Sequence, residues 1–185
     1  MKKFIALLSL IALPLSARAD ENPMFCDGCI NSVAIYASQG TGSGTLFKLV
    51  DPILWEFQSM TNFNFQYSQP MEIFRLPSRI NFNLVQNFGY EHDRGLSFFA
   101  IGVSWDIALL SWNGFYLGFG VGPYMRDSRD RYVDSRLVFG ERFFIGKDVS
   151  DRWRIEWFTQ HFSNGNFTDT NLGFNFTGFA VNFSF

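Results

Sequence analysis

A histidine and a serine stand two residues apart near the carboxyl end of the chain, in the sequence His161-Phe162-Ser163-Asn164. An imidazole beside a serine hydroxyl can carry out nucleophilic acyl transfer, because the base takes the hydroxyl proton as the oxygen attacks a carbonyl. Residues two apart in a β-strand point to the same side of the sheet. The pattern therefore indicates a candidate esterase site, provided that this segment is a strand.

The end of the chain has the alternation of a strand that faces an apolar environment. Phe179, Val181, Phe183 and Phe185 occupy every second position, and smaller or more polar residues lie between them. This period of two predicts a strand with one apolar face. Because a lipid bilayer would cover a face made almost entirely of phenylalanine, we expect the strand to belong to a membrane protein.

The beginning of the chain predicts export. Lys2 and Lys3 precede a short apolar run, and Ala17-Arg18-Ala19 has the small-residue pattern of a cleavage site. This arrangement predicts a secretory signal peptide over residues 1–19. The apolar run is too short for a membrane helix. After it no segment reaches the length of such a helix, so a membrane-bound mature chain would have to be a closed barrel.

Composition agrees with a single barrel domain. Removal of Lys2, Lys3 and Arg18 leaves 12 basic against 17 acidic side chains, and this acidic balance disfavours nucleic acid as a partner. Aromatic residues make up 19% of the chain, with 24 Phe. Because mean hydropathy is nonetheless near zero, apolar and polar residues must be interleaved, as in a barrel with a lipid-facing exterior and a polar interior.

The two cysteines, Cys26 and Cys29, lie in a periplasmic N-terminal segment predicted over residues 20–31. In an exported chain we expect them to form a small structural disulfide. A redox-active pair would need a thioredoxin-like βαβ setting, which the sequence lacks, and two thiols are too few for a zinc site. We predict no metal site and no cofactor.

Residues 32–185 predict an all-β fold, an eight-stranded antiparallel transmembrane barrel with both termini in the periplasm of a Gram-negative outer membrane. Turn residues separate the segments, above all the pair Asn113-Gly114 and a break over residues 68–78. The predicted strands are 32–39, 61–68, 79–90, 95–107, 114–125, 135–146, 152–163 and 171–185.

Two of the predicted outer connections have unusual composition. The first, over residues 40–60, turns apolar after its glycines, so it could lie on the membrane, cover a site or extend the two strands. The third, which begins at Arg126, mixes arginines with aspartates. We interpret it as a solvated loop, with contact to lipid phosphates as the functional alternative.

The seventh strand predicts where the chemical groups point. Trp153, Ile155 and Trp157 mark the lipid side, and His161 and Ser163 fall on that side at the outer end of the strand. Arg154 and Glu156 alternate with them, so we expect these two to point into the barrel and to pair with residues such as Arg142. The strand end reaches the headgroup zone, where polar residues are also tolerated without a function.

On the eighth strand, the outward face set by Phe179 continues to Asn175 and Gly173. A connection centred near Thr168 would place Asn175 across from His161. His161, Ser163 and Asn175 would then cluster, with Phe174 and Phe176 pointing inward.

These residues resemble the motif of the outer-membrane lipid A 3-O-deacylases of the PagL type. That motif is His-x-Ser-Asn, then Asn and Gly, then a Glu fourteen residues after the His. His161, Ser163 and Asn164 match directly, and Asn171 and Gly173 fall at the matching offsets. The resemblance is specific over about 15 residues, and it extends more weakly across the barrel, through residues 118–123.

The resemblance implies a role for each matching residue. Ser163 would attack an ester carbonyl of lipid A, and His161 would act as the base. The amides of Asn164 and Gly165 would hold the oxyanion. Asn175 stands at the position of the family's acid, where it can orient the imidazole but cannot compensate its charge, and Asp169 in the loop is the alternative acid.

Other functions fit part of the pattern. A non-catalytic barrel for adhesion or envelope structure would need only the composition and the terminal strand, and a palmitoyl transferase barrel is a second enzymatic alternative. A soluble lipocalin-like barrel has no use for an apolar exterior. The expected partners are lipid A, or lipopolysaccharide, and the outer membrane, and a homodimer is left open.

Overall fold

The computed structural model describes residues 22–44 and 51–185, and the predicted signal peptide lies outside this range. Eight strands are present. They are β1 (Ser32–Gly42), β2 (Met60–Ile73), β3 (Leu76–Gly89), β4 (Phe98–Trp112), β5 (Phe115–Arg126), β6 (Leu137–Asp148), β7 (Trp153–Ser163) and β8 (Phe174–Ser184). Short 3-10 turns are found at Pro52–Leu54 and Glu91–Leu96. No helix in the described residues is long and apolar enough to cross a membrane.

The strands form one closed sheet in which each strand pairs with its neighbours in sequence. All of these pairs are antiparallel, and β1 closes the sheet by pairing with β8 from Ser32↔Ser184 to Gly42↔Asn175. Closure gives every strand a partner on both sides, which is the condition for a sheet in lipid. The predicted fold class, an eight-stranded antiparallel transmembrane barrel, is therefore confirmed.

The strand bounds differ most from prediction between β2 and β3. The predicted break over residues 68–78 is wrong, because a tight turn at Phe74 and Arg75, both with positive φ, joins two strands that pair up to Ile73↔Leu76. Pro70 is accommodated within β2 because the pairing of β2 with β1 ends at Ser68, which leaves Pro70 on a free edge where no ladder hydrogen bond to β1 is lost.

The turn at Asn113-Gly114 is confirmed. Both residues have positive φ, 48° and 74°, as a two-residue hairpin turn requires. The strand before it runs to Trp112, five residues beyond its predicted end at Ile107, and it starts at Phe98 because the residues before it form a 3-10 turn.

The exterior of the barrel is apolar over most strands. Large apolar side chains occupy the outward positions, and many of them are two-fifths or more exposed. Examples are Ile35, Phe63, Phe65, Phe82, Leu84, Ile101, Phe179 and Val181. Such a surface is the one that a barrel presents to lipid.

The interior is filled by a buried network of ionic hydrogen bonds. Arg79 lies 2.7 Å from Asp106 and 2.9 Å from Glu156, and Asp106 also binds Arg142. Tyr36 and Tyr116 donate to Glu156 over 3.0 and 2.7 Å. The inward direction predicted for Glu156 is correct, but its cationic partner is Arg79, which lies on β3, rather than Arg142.

The N-terminal segment closes the barrel end that carries both termini. Cys26 and Cys29 form a disulfide with their Cα atoms 5.2 Å apart. Arg154 donates to the carbonyl oxygen of Pro23 over 3.1 Å and also to that of Phe25. Its charge pairs with Asp148 at 2.9 Å. Arg154 therefore joins the segment to the inner face of β7.

The ionic network predicts a large stability effect at Glu156. The Glu156→Gln variant removes one of the two carboxylate charges that compensate buried Arg79, so we expect the free energy of unfolding to fall by about 3–5 kcal/mol. Urea titration of the refolded barrel, followed by its electrophoretic mobility, measures this change. The control is Glu72→Gln, which alters an exposed carboxylate on β2 and should stay within about 0.5 kcal/mol of the wild type. Equal stability of the two variants would contradict the role of the network.

Candidate active site

His161 and Ser163 lie on the outward face of β7, at the end of the barrel opposite the termini. The residues that alternate with them along β7 point inward. Phe158 packs edge-on against Tyr36, and Phe162 packs edge-on against Tyr124, with ring centroids 5.1 Å apart in each pair. Since side chains alternate along a strand, His161 and Ser163 take the opposite face.

The register between β7 and β8 brings Asn175 directly opposite His161. Nδ1 of His161 lies 2.6 Å from Oδ1 of Asn175. With the amide in this orientation the imidazole donates through Nδ1–H, which leaves Nε2 unprotonated and able to act as a base. Two members of the predicted cluster, His161 and Asn175, are therefore in contact. No hydrogen bond between Ser163 and His161 occurs among the described residues, so the place of Ser163 in the cluster stays a prediction.

Gly173 makes room for the imidazole. Its φ is +72°, and a Cβ added there would lie 2.4 Å from Cε1 of His161 and 3.1 Å from Nε2. The predicted start of the last strand at residue 171 is wrong, because this left-handed conformation interrupts the extended chain and β8 begins at Phe174.

Arg126 anchors the beginning of β8 from inside the barrel. Its guanidinium lies over the rings of Phe98 and Phe174, 4.9 and 5.5 Å from their centroids. It also binds Asp130 at 2.6 Å. Arg126 is thus buried, and the interpretation of the third outer loop as solvated is wrong for this residue, while Arg129 and Arg131 are exposed.

Asparagine side chains hold the loop between β7 and β8. The backbone N–H of Asn164 donates to Oδ1 of Asn171 over 2.9 Å, and Nδ2 of Asn171 donates to Oδ1 of Asn166 over 2.9 Å. Of the two predicted oxyanion donors, Asn164 therefore already has an acceptor. The amide of Gly165 has no hydrogen-bond acceptor among the described residues, so it is the donor that a substrate oxygen would find free.

The alternative acid is not at this cluster. Asp169 is exposed in the loop, and no contact between it and His161 is present in the described part of the chain. Of the two predicted candidates for the acid position, only Asn175 contacts His161 in the described residues.

On the lipid-facing side of β7, the side chains near the outer end of the strand are buried, whereas those near the end that carries the termini are exposed. Thr159, His161 and Ser163 are only 1%, 7% and 9% exposed, whereas Trp153 and Ile155 on the same face are 48% and 44% exposed. His161 and Ser163 therefore point outward, as predicted, but lie below the barrel surface.

The first outer connection lies against the outward face of β7. Trp55 packs against Trp157 with ring centroids 6.5 Å apart, and because β8 lies between β1 and β7, the connection must cross β8 to reach it. The connection also extends the pairing of the strands, since the Gln58 amide donates to the Gly40 carbonyl over 2.9 Å. The predicted extension of β1 and β2 is thus confirmed, and the cover of the site by this segment stays a prediction.

Sequence reasoning missed one side chain at the site. Glu141 lies directly opposite His161 on the other flank, in β6. It alternates with inward-facing Arg142, so it occupies the outward face between Phe139 and Phe143. A carboxylate in an otherwise apolar row was the signal that could have identified it.

Comparison with known proteins gives one family and a set of similar barrels. The family model described as "Lipid A 3-O-deacylase (PagL)" matches residues 61–184. The crystal structure of the outer membrane enzyme PagL superposes with a TM-score of 0.54 at 11% identity, covering 81% of this chain and 98% of that chain. Neisserial surface protein A gives a TM-score of 0.52 at 14% identity, covering 84% and 97%. No curated protein sequence gives a significant match.

The contact between Gly173 and His161 yields a test of the site geometry. In Gly173→Ala the new methyl group must displace the imidazole, so we expect at least a tenfold loss of ester hydrolysis while the barrel still folds. Gly28→Ala is the matched control, because Gly28 has a similar φ of +71° and nothing within 4 Å of an added Cβ. The rate of deacylation in detergent micelles distinguishes the two, and a Gly173→Ala rate equal to wild type would show that the ring position is not critical.

Proposed function

Because the chain belongs to the PagL family of lipid A 3-O-deacylases, we propose that it removes an ester-linked hydroxyacyl chain from lipid A in the outer leaflet of the outer membrane. The observation that carries this proposal is the hydrogen bond between His161 and Asn175, on the face and at the strand end where Ser163 follows. It supports a serine esterase in which Ser163 is the nucleophile and His161 the base.

The reaction follows from the roles of these atoms. Oγ of Ser163 attacks the ester carbonyl carbon while Nε2 of His161 takes its proton, and the Gly165 amide donates to the oxyanion. Collapse of this intermediate breaks the ester bond, and His161 returns the proton to the departing alcohol. Water, deprotonated by the same imidazole, then releases the acyl chain from Ser163 as a fatty acid.

The surface beside Ser163 suits an acyl chain. Ser163 pairs with Phe139 on β6, and Phe139 pairs with Pro123 on β5. Pro123 lies at the edge of an apolar groove of about 640 Å³ that extends away from the site over the outward faces of β5, β4, β3 and β2. The apolar surface that begins at Phe139 would accommodate hydrocarbon beside the nucleophile, while the sugar would face the outer loops.

A non-catalytic barrel is the second candidate, and the residue at position 175 favours it. Asn175 lacks the negative charge of the family's Glu and cannot stabilise an imidazolium by charge. The similarity to Neisserial surface protein A concerns the fold alone. The homodimer that the sequence leaves open finds no support in the comparisons.

Replacement of the nucleophile tests the proposed activity. Mass spectrometry of lipid A from cells that express the wild type should show loss of one hydroxyacyl chain. Ser163→Ala and His161→Ala should each lower the deacylation rate by about a thousandfold or more, since each removes a reacting group. Ser150→Ala, in an exposed turn at the opposite barrel end, is the control. A Ser163→Ala variant that still deacylates would refute the assignment, and unchanged lipid A with the folded wild type would favour the non-catalytic barrel.

Introduction of the family's acid tests the role of position 175. The Asn175→Glu variant should preserve or raise activity, because a carboxylate there can both orient the imidazole and compensate its charge. The kcat of the purified variant in micelles measures the effect. Loss of activity in a folded variant would show that a carboxylate at position 175 does not take the role of the family's Glu toward His161.

A further inference from the structure

The carboxylate of Glu141 lies on the outward face of β6, in direct register with His161. The residue that follows it in β6 faces the other side of the sheet. Arg142 points into the barrel, where it binds Asp106 and donates to Gln66 over 3.1 Å. Glu141 is thus separated from the interior ionic network and shares the face of the candidate site.

No cation in the described residues accounts for this charge. Oε2 of Glu141 is buried and has no hydrogen-bond donor, and no ion pair of Glu141 occurs among the residues that the structure describes. An ionised carboxylate on the lipid side of a barrel is costly unless it meets a cation or a hydrogen-bond donor. A cation that exists only during the reaction would meet this need.

Two further polar atoms beside His161 are also unpartnered. Nδ2 of Asn175 and Oγ1 of Thr159 are buried without hydrogen bonds in the described structure. Of the residues that pair with His161, Glu141 carries the only ionisable side chain, since the other is Asn175. The site therefore contains a carboxylate after all, but on the opposite flank of the imidazole from the family's position.

We propose that Glu141 is a positioning residue that compensates the positive charge of His161 when the imidazole has taken the Ser163 proton. The inference rests on the proposed function. Glu141 accepts no proton, because the proton passes from Ser163 to His161 and then to the departing alcohol. The acid of the family's triad is thus divided between two strands: Asn175 on β8 orients the ring, and Glu141 on β6 supplies the charge.

The distance expected for a cross-strand pair is compatible with this role. Directly opposed residues of an antiparallel pair have Cβ atoms about 4.5–5.5 Å apart. Two opposite charges on such side chains interact strongly where water is scarce. Since the imidazolium forms on the way to the transition state, the effect belongs to kcat rather than to substrate binding.

Charge removal at constant shape is the decisive experiment. In the full-length protein, purified in detergent and supplied with lipid A, Glu141→Gln should lower kcat about tenfold or more with KM unchanged. Glu141→Asp, which keeps the charge, should retain more activity than Glu141→Gln. Glu72→Gln removes an exposed carboxylate elsewhere on the barrel and should leave kcat unchanged. Heat-modified mobility verifies that each variant is folded.

Relocation of the charge separates this role from a structural one. Asn175→Glu should restore kcat in the Glu141→Gln background to within about threefold of the wild type, while it changes the wild-type background little. A folded Glu141→Gln enzyme with wild-type kcat, or one that Asn175→Glu does not rescue, would overturn the inference and leave the proposed function intact. A wild type that does not hydrolyse lipid A would overturn the proposed function, and the inference with it.

Discussion

Closure of the sheet between β1 and β8 is the constraint on which the rest of the structure depends. Once the ladder from Ser32↔Ser184 is formed, β8 is held between β1 and β7, and its register with β7 follows. That register places Asn175 opposite His161. A slip of one residue would move every side chain of β8 to the other face, so the same pairing that satisfies the backbone in lipid also assembles the candidate site.

The two faces of β7 carry separate chemistries that depend on this alternation. Inward, Glu156 binds Arg79 in a network that fills the barrel, and a filled interior gives the wall a rigid support. Outward, His161 and Ser163 occupy the strand end, where lipid-borne substrate would arrive. Because the wall is a single sheet, a rigid interior also holds the outward side chains in place, as the proposed acyl transfer would require.

Local patterns predicted the fold well and predicted its irregular positions poorly. The Asn113-Gly114 turn was readable because both residues suit positive φ. The turn at Phe74 was not, because neither Phe74 nor Arg75 is a residue type that favours positive φ. Arg126 belonged to a run of charges that suggested a solvated loop, yet its ring contacts with Phe98 and Phe174 bury it.

The sequence by itself determined the barrel, the outward direction of His161 and Ser163, and the identity of the residue across from His161, because a period of two and the spacing of a short motif are local properties. Only the tertiary structure decided which residue flanks His161 from β6 and how far the site is covered. Glu141 stands 20 positions before His161, and nothing local relates the two until the β6–β7 register is set. The position of the first connection likewise depends on closure, because Trp55 reaches Trp157 only across β8.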